Sequence, residues 1–301
     1  MTPAEDELHR AAQLLRGGKL VAFPTETVYG LGANALDPAA VQRIYDAKGR
    51  PASSPLIVHV AQVSMAKRTA AQWPEIAQRL AARFWPGPLT LVVPKNSLVP
   101  DIVTAGLPSV ALRMPAHPVA RRLIELADIP LAAPSANRFM QLSPTTAEHV
   151  RTGLGDRVDM ILDGGPSQVG IESTVVSLTG DRPVILRPGM IGLGDLEAAT
   201  GISWTYTDTA TAAQAESPGL HPRHYAPRTP FYILNPGSAA PEGRGRILTL
   251  PANPTQYAIH LYAELHTADA EGWDWIAVKE PPDAPEWAAI RDRLRRAATK
   301  L

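Results

Sequence analysis

Several residue types and patterns are missing from this chain of 301 residues, and each absence excludes a class of protein. There is no cysteine, which excludes disulfides, thiolate nucleophiles, iron–sulfur clusters and thiolate zinc sites. No apolar run approaches the roughly 20 residues needed to cross a bilayer, and the first residues do not resemble a secretory signal. We therefore predict a cytoplasmic protein whose chemistry uses oxygen and nitrogen groups.

An excess of either charge sign is missing as well, because Lys plus Arg equals Asp plus Glu at 29 each. Any contact with phosphate must therefore come from a local cluster of cations. The motifs G-x-x-x-x-G-K-[ST], G-x-G-x-x-G and H-E-x-x-H are also lacking. A P-loop, a dinucleotide fingerprint and a protein-held metal are thus not predicted, and side chains must cradle any nucleotide.

The length and the hydrophobic pattern predict two unequal domains. Over residues 1 to 205, short apolar runs alternate with helical patterns, which is typical of an α/β sheet domain. Residues 206 to 230 are rich in Thr, Ala, Ser, Pro and His without periodicity and indicate a linker. Residues 231 to 301 repeat the strand and helix pattern on a smaller scale and predict a small α/β domain.

Local signals predict where several elements begin. Thr2, Pro3 and Glu5 resemble the cap and first turn of an amphipathic helix that ends at Gly17-Gly18. Ser143 followed by Pro144 predicts the cap of a later helix. The segment PTETVYGLGANA, residues 24 to 35, follows a strand and is predicted to be a loop. Its hydroxyls, its carboxylate Glu26 and its glycines suit a ligand, although an ordinary polar turn is an equal alternative.

Cations follow three of the predicted strands or helices. In KGRPASSPLIVHV, Lys48 and Arg50 indicate a phosphate clamp, and the alternative is that both are ordinary solvated surface residues. Taken by itself, His59 is predicted to be a histidine of the core and not a ligand. In VALRMP, Arg113 ends a strand and suits a carboxylate. In ILRPG, Arg187 ends another strand. Ser135 and Asn137 of PSAN, and Ser173 of GIEST, add polar groups at neighbouring strand ends, where ligand crevices form.

Taken together and in order, PTETVYGLGANA, KGRPASSPLIVHV, FWPGPLTLVV, VALRMP, PSAN, SPTTAEHV, GIESTVVSL and ILRPG resemble the YrdC/Sua5 family over residues 8 to 192. SPGLHPRHYAP, residues 217 to 227, resembles the linker of the two-domain Sua5 branch, which precedes a small Rossmann-like domain. The resemblance implies a twisted YrdC-like α/β sheet domain with a concave basic face. It also implies the synthesis of threonylcarbamoyl-AMP from L-threonine, bicarbonate and ATP, with release of pyrophosphate.

The resemblance further implies partners and roles for individual residues. The product would pass to a tRNA threonylcarbamoyl transferase complex, which modifies the adenosine next to the anticodon, and direct tRNA contact is left open. Magnesium would arrive with ATP. Catalytic roles fall on Lys48 and Arg50, and contacts with L-threonine fall on Thr27, His59, Arg113, Ser135 and Ser173. Contacts with ATP fall on Arg50, Ser54, Ser109, Asn137, Thr145, Arg187 and, in the linker, His224 and Tyr225.

Four points stay open at this level. An RNA-binding module would use the same cations for a phosphate backbone, although aromatic stacking runs are lacking. A carbamoyl transferase of related fold would act on another acceptor. The general base is either Glu26 or bicarbonate itself, and the linker is either a lid over the loaded site or an interdomain strap. One departure from the family pattern is Arg138-Phe139-Met140-Gln141 after Asn137, where Ser-Gly is common.

Overall fold

A computed structural model of the chain describes residues 3–207, 224–235 and 241–299. The strands are β1 (Val21–Phe23), β2 (Gly30–Asn34), β3 (Ile57–His59), β4 (Leu89–Pro94), β5 (Ser109–Arg113), β6 (Leu131–Ala132), β7 (Met160–Ile161), β8 (Thr174–Ser177), β9 (Val184–Arg187), β10 (Thr205–Tyr206), β11 (Phe231–Leu234), β12 (Gly245–Ile247) and β13 (Trp275–Lys279). The helices are Glu5–Arg16, Pro38–Lys48, Val63–Thr69, Glu75–Phe84, Asp101–Thr104, Pro118–Ala127, Ala147–Leu154, Leu193–Thr200, Pro254–Ala270 and Ala288–Ala297.

Two sheets organise the described residues. Ten strands form one mixed sheet in the order β10-β9-β8-β4-β5-β3-β6-β2-β1-β7. β11, β13 and β12 form a smaller parallel sheet, and we call it, with helices Pro254–Ala270 and Ala288–Ala297, the C-terminal unit. The predicted α/β sheet with a smaller α/β partner is therefore confirmed. No helix in the described ranges is long and apolar enough to cross a membrane.

Two predicted helix caps are misplaced. The first helix begins after Ala4, whose N–H donates to Oε2 of Glu7 at 3.0 Å, whereas the predicted cap Thr2 lies outside the described residues. For helix Ala147–Leu154 the cap is Thr146, which accepts the His149 N–H at 3.2 Å. Ser143 instead donates to Oε1 of Glu172 at 2.5 Å. A buried carboxylate needs such a donor, and that need outweighs local capping preference.

The glycine-containing segment after β1 is a strand and not only a loop. Gly30–Asn34 forms β2, which pairs antiparallel with β1 and with β6. Glycine at position 32 is required by packing, because a Cβ there would lie 2.7 Å from Cε1 of Phe23. Sequence patterns count glycine against strands, and the close approach of the Phe23 ring explains why the prediction missed this one.

Replacing Gly32 by alanine is expected to lower the free energy of unfolding by about 1–3 kcal/mol through overpacking. The matched control is Gly153→Ala, since a Cβ at Gly153 meets nothing within 4 Å and alanine favours the helix. Urea unfolding of both variants checks this. A Gly32→Ala protein as stable as the control would contradict the packing argument.

The two sheets share one apolar seam. Val28, Leu142 and Ile171 from the larger part pack in a single cluster with Tyr225 and with residues of the C-terminal unit. At Gly170 the two parts approach so closely that a Cβ would lie 2.3 Å from the main-chain oxygen of Ala258. The loops of the large sheet that contain Val28, Leu142 and Ile171 therefore contact the C-terminal unit along this seam.

Candidate active site

A pocket opens beside this seam, and polar side chains make up much of its wall. Its lining includes three arginines, so we call it the cationic pocket. The residues with a predicted ligand contact that line it are Thr27, Arg50, His59, Arg113, Ser135, Ser173, Arg187, His224 and Tyr225. Residues that are far apart in the sequence are therefore brought together in one pocket.

Strand order explains why these side chains meet. His59 ends β3 and Arg113 ends β5, and the two strands are parallel neighbours in which His59 pairs with Arg113. Ser135 follows β6 and bridges to Gly30 of β2. The other neighbour of β3 is β6, which runs antiparallel to it, and Ser135 lines the same pocket as His59 and Arg113.

Arg113 is held by a carboxylate next to the pocket. Its Nη2 lies 2.8 Å from Oε1 of Glu26, and its Nε donates to the Gly87 main-chain oxygen at 3.3 Å. Glu26 also accepts the Ala116 N–H at 3.0 Å. The ion pair is not aligned as a hydrogen bond, so Nη2 has no hydrogen-bond acceptor among the described residues. The guanidinium is thus fixed in place with a donor left for a ligand oxygen.

Arg187 is oriented by the residue that precedes β8. Its Nε donates to the Ser173 main-chain oxygen and its Nη2 to the Ser173 hydroxyl, both at 3.1 Å. The Ser173 hydroxyl also bonds the Thr90 hydroxyl at 2.8 Å. Burial lowers the pKa of Arg187 from its usual value, which means that a buried anion beside it would be bound strongly.

Arg50 approaches the pocket through the loop after helix Pro38–Lys48. It donates to the main-chain oxygens of Ser54 at 3.4 Å and Pro55 at 3.0 Å. Its guanidinium carbon lies 5.8 Å from the centre of the Phe139 ring, and that ring is in edge contact with His224 at 5.9 Å. Burial and, to a lesser degree, the charge of Arg187 lower the pKa of Arg50 to about 10. Two desolvated cations therefore act on one another across the pocket.

His59 is neutral at physiological pH. Burial, and then the charge of Arg113, lower the pKa of His59 to about 3. Its ring stands edge-on to Phe23 with the centres 6.1 Å apart, and Nδ1 has no hydrogen-bond partner among the described residues. A neutral imidazole with a free ring nitrogen suits contact with a substrate hydroxyl or amine better than contact with a phosphate.

Lys48 is absent from the lining of the cationic pocket. Its ammonium donates to the main-chain oxygens of Ser135 and Asn137, both at 2.5 Å, and to Oδ1 of Asn137 at 3.4 Å. The helix ends at Gly49 in the left-handed conformation, φ 62°, so Lys48 and Arg50 leave the main chain in different directions. Lys48 thus fixes the loop that carries Ser135 and Asn137.

Four other predicted ATP contacts do not line the cationic pocket. Ser54 offers its main-chain oxygen to Arg50, and Ser109 begins β5, at the far end from Arg113. The Asn137 amide donates to the main-chain oxygens of Arg138 and Gln141, both at 2.8 Å. Asn137 lines an adjacent groove with His149, whose Nδ1 lies 3.3 Å from the Thr145 hydroxyl.

Two residues of the site were missed in the sequence. Phe139 lies in the segment that departs from the family pattern, and its ring fills the space between Arg50 and His224. Glu172 belongs to GIEST and lines the pocket, yet only its neighbours were singled out. The described residues contain no group of three or more His, Cys, Asp or Glu side chains that could hold a metal ion.

Comparison with known proteins gives two family matches. Residues 13–189 match the Sua5/YciO/YrdC family model, described as telomere recombination. Residues 191–299 match the model described as threonylcarbamoyl-AMP synthase, C-terminal domain. Together the two models cover most of the described residues, including every strand of both sheets.

Individual relatives agree with these matches. The threonylcarbamoyl-AMP synthase of Pyrococcus abyssi is 51% identical over 237 residues, which are 76% of this chain and 68% of that protein. The threonylcarbamoyl-AMP synthase of Bacillus subtilis is 42% identical over 328 residues, 98% of this chain and 93% of that protein. The crystal structure of P. abyssi Sua5 complexed with L-threonine has a TM-score of 0.91 at 39% identity and covers 99% of this chain and 96% of that chain.

Proposed function

Because the chain belongs to the Sua5 family of threonylcarbamoyl-AMP synthases, we propose that its cationic pocket binds L-threonine beside ATP and forms threonylcarbamoyl-AMP there. The observation that carries this proposal is the meeting of Arg50, Arg113 and Arg187 in one pocket, with exposed fractions of 7%, 4% and 3%. Three desolvated guanidinium groups around one space suit a ligand with several anionic groups.

L-threonine is proposed to lie at the end formed by β3, β5 and β6. Arg113 would bind its carboxylate with the donor that Glu26 leaves unaligned, while the neutral ring of His59 and the hydroxyl of Ser135 reach polar groups of the amino acid. Thr27 is fully buried at the same wall, and its hydroxyl bonds that of Thr25 at 2.9 Å. Ser173 completes the subsite. The P. abyssi relative crystallised with L-threonine supports this assignment.

ATP is proposed to take the side of the pocket that holds Arg50 and Arg187. Both cations lie in a low-dielectric environment, where they stabilise charge on phosphate much better than in water. His224 and Tyr225 form a T-shaped pair with ring centres 4.1 Å apart at this side, which provides a surface for a base or a phosphate. Asn137, Thr145 and Ser54 would reach ATP from the adjacent loops and Ser109 from the first position of β5. Lys48 would act by holding the Ser135–Asn137 loop.

The reaction needs no covalent intermediate with the protein. The threonine amine combines with bicarbonate to give a carbamate and water, and a carbamate oxygen then attacks the α-phosphorus of ATP and expels pyrophosphate. Arg50 and Arg187 stabilise the charge that grows on the phosphates, and Arg113 fixes the carbamate by its carboxylate. Glu26 is occupied by Arg113 and the Ala116 N–H, which favours bicarbonate over Glu26 as the source of basicity.

Metal, partner and domain assignments complete the proposal. Since the described residues form no cluster of metal ligands, magnesium would arrive on the phosphates of ATP. The product would pass to a tRNA threonylcarbamoyl transferase complex. Residues 1–205 would form the catalytic domain, 206–230 the linker and 231–301 the small domain. The predicted lid consists largely of residues 208–223, which lie outside the described residues.

We expect mass spectrometry to detect threonylcarbamoyl-AMP after incubation with ATP, bicarbonate and L-threonine, because the carboxylate of this amino acid suits Arg113 and its hydroxyl suits the hydroxyl-lined wall around Thr27. Pyrophosphate should form in equal amount. Each other amino acid, tested in turn, should give much less adenylate.

Two outcomes would contradict the proposal. An adenylate formed equally from many amino acids would indicate a carbamoyl-transfer enzyme with another acceptor. Salt-sensitive RNA binding without threonine-dependent release of pyrophosphate would indicate an RNA-binding module.

A further inference from the structure

Arg293 is a charged residue in an apolar position of the C-terminal unit. It lies in helix Ala288–Ala297, and its side chain is 0% exposed. The other buried residues of that helix are all apolar: Ala289, Ile290, Leu294 and Ala297. A hydrophobic side chain of similar volume would avoid the desolvation cost of a buried guanidinium. The position therefore indicates a role for the charge other than stability alone.

The contacts of Arg293 reach the wall of the cationic pocket from behind. Its Nε donates to Oε2 of Glu172 at 2.7 Å, and its Nη2 donates to the Glu172 main-chain oxygen at 3.4 Å. Its guanidinium carbon lies 5.3 Å from the centre of the Tyr225 ring, while Nη1 donates to Asp292 at 2.7 Å. Both Glu172 and Tyr225 line the pocket.

Glu172 is a buried anion that these contacts fix. The Ser143 hydroxyl donates to its Oε1 at 2.5 Å and the Tyr262 hydroxyl to its Oε2 at 3.1 Å. Burial raises the pKa of Glu172, but the charges of Arg293 and then Arg187 outweigh burial and lower the pKa overall. The carboxylate thus stays ionised between one arginine behind the pocket and one inside it.

Arg187 is the pocket arginine that would otherwise be drawn to this carboxylate. It bonds the backbone and hydroxyl of Ser173, the residue that directly follows Glu172, so a shift of the main chain at Glu172 would be passed on to Arg187. Without Arg293, the charge of Glu172 would act mainly on Arg187 and pull it from the position in which it faces the pocket.

We propose that Arg293 is a positioning residue for adenylate synthesis, because it neutralises Glu172 from the C-terminal unit and so keeps Arg187 and Tyr225 in place for the phosphates of ATP. This inference rests on the proposed function, since the contact between Arg187 and ATP is part of it. It gives the C-terminal unit an indirect part in nucleotide binding, through Glu172 and Tyr225 of the pocket wall.

Replacing Arg293 by methionine is expected to raise KM for ATP by about 10-fold to 100-fold, the loss typical when a residue that orients a ligand contact in a metal site is removed. KM for L-threonine should change much less, because Arg113 and Glu26 are untouched. The double variant Arg293→Met with Glu172→Gln should recover most of the ATP affinity. A neutral amide no longer attracts Arg187; its oxygen still accepts from Ser143, and its NH2 group can donate to the Tyr262 hydroxyl oxygen.

The matched control is Arg291→Met on the same helix, whose ion pair with the exposed Asp283 does not involve the pocket; its KM values should equal those of the wild type. Arg293→Lys, which keeps the charge, should stay close to wild type for ATP. If Arg293→Met does not fold, Arg293→Gln tests the inference in its place, because glutamine removes the charge but can still donate a hydrogen bond to Glu172.

Three results would overturn the inference. A folded Arg293→Met or Arg293→Gln protein with the wild-type KM for ATP shows that Arg293 does not position Arg187. A purely structural role would lower kcat and the melting temperature with both KM values unchanged. A double variant whose KM for ATP is as high as that of Arg293→Met would show that the charge of Glu172 does not pull Arg187 out of place. A wild-type protein that forms no threonylcarbamoyl-AMP contradicts the proposed function instead.

Discussion

Replacing Arg50 by alanine is expected to slow pyrophosphate release by about 100-fold to 1,000-fold, the usual cost of losing one preorganised donor in the transition state. Arg50 is buried at the pocket with its guanidinium near the Phe139 ring. Within the described part of the chain its hydrogen bonds go to the main-chain oxygens of Ser54 and Pro55, which lie in a loop, so we expect the protein to fold without them. A coupled pyrophosphate assay and a thermal unfolding curve measure the two effects separately.

Two further variants sharpen this prediction. Arg50→Lys keeps the charge but loses the planar fork, so it should recover only part of the rate. Arg79→Ala removes an arginine from an exposed i,i+4 pair with Glu75 and should leave the rate unchanged. Wild-type turnover in a folded Arg50→Ala protein would remove Arg50 from the site.

The residues at the strand ends could be predicted, because a short apolar run followed by a polar residue is typical of a buried strand that ends at the edge of the sheet. His59 and Arg113 each follow such a run, and the parallel pairing of β3 with β5 places them side by side. The same reasoning predicted Arg187 at the end of a strand, and Arg187 is the last residue of β9. These predictions depend only on the period of the strand and on where ligand crevices form.

The direction of a side chain at a helix end was not predictable from spacing. Lys48 and Arg50 are two residues apart and were expected to form one clamp. The left-handed Gly49 between them turns the chain, and the oxygens of the Ser135–Asn137 loop, which lie almost ninety positions away, bind the ammonium of Lys48. Only the folded chain shows that those oxygens are there.

The link between Arg293 and Glu172 was hidden for a similar reason. The helix that contains Arg293 has a sequence rich in arginine, RDRLRR, and a basic helix is normally solvated. Its partner is 121 positions earlier in the chain, and a buried pair of that separation leaves no local pattern. The sequence therefore predicted the fold and the pocket-facing cations, but not the residues that hold those cations from behind.

The second large effect is expected at Arg113, whose replacement by leucine should weaken L-threonine binding by at least about 30-fold, equivalent to about 2 kcal/mol, while ATP binding changes little. The same change leaves the Glu26 carboxylate buried without its cation, which destabilises a protein by about 3–5 kcal/mol. A loss of activity alone would therefore not show that Arg113 binds the substrate.

The double variant Arg113→Leu with Glu26→Gln separates the two effects. Removing both charges should restore much of the free energy of unfolding, because no uncompensated buried charge is left and the Gln side-chain oxygen still accepts the Ala116 N–H. L-threonine binding should stay as weak as in Arg113→Leu, since the guanidinium that receives the carboxylate is still absent. Calorimetric titration and urea unfolding measure both quantities. Recovery of threonine affinity together with stability would show that Arg113 acts only as the partner of Glu26.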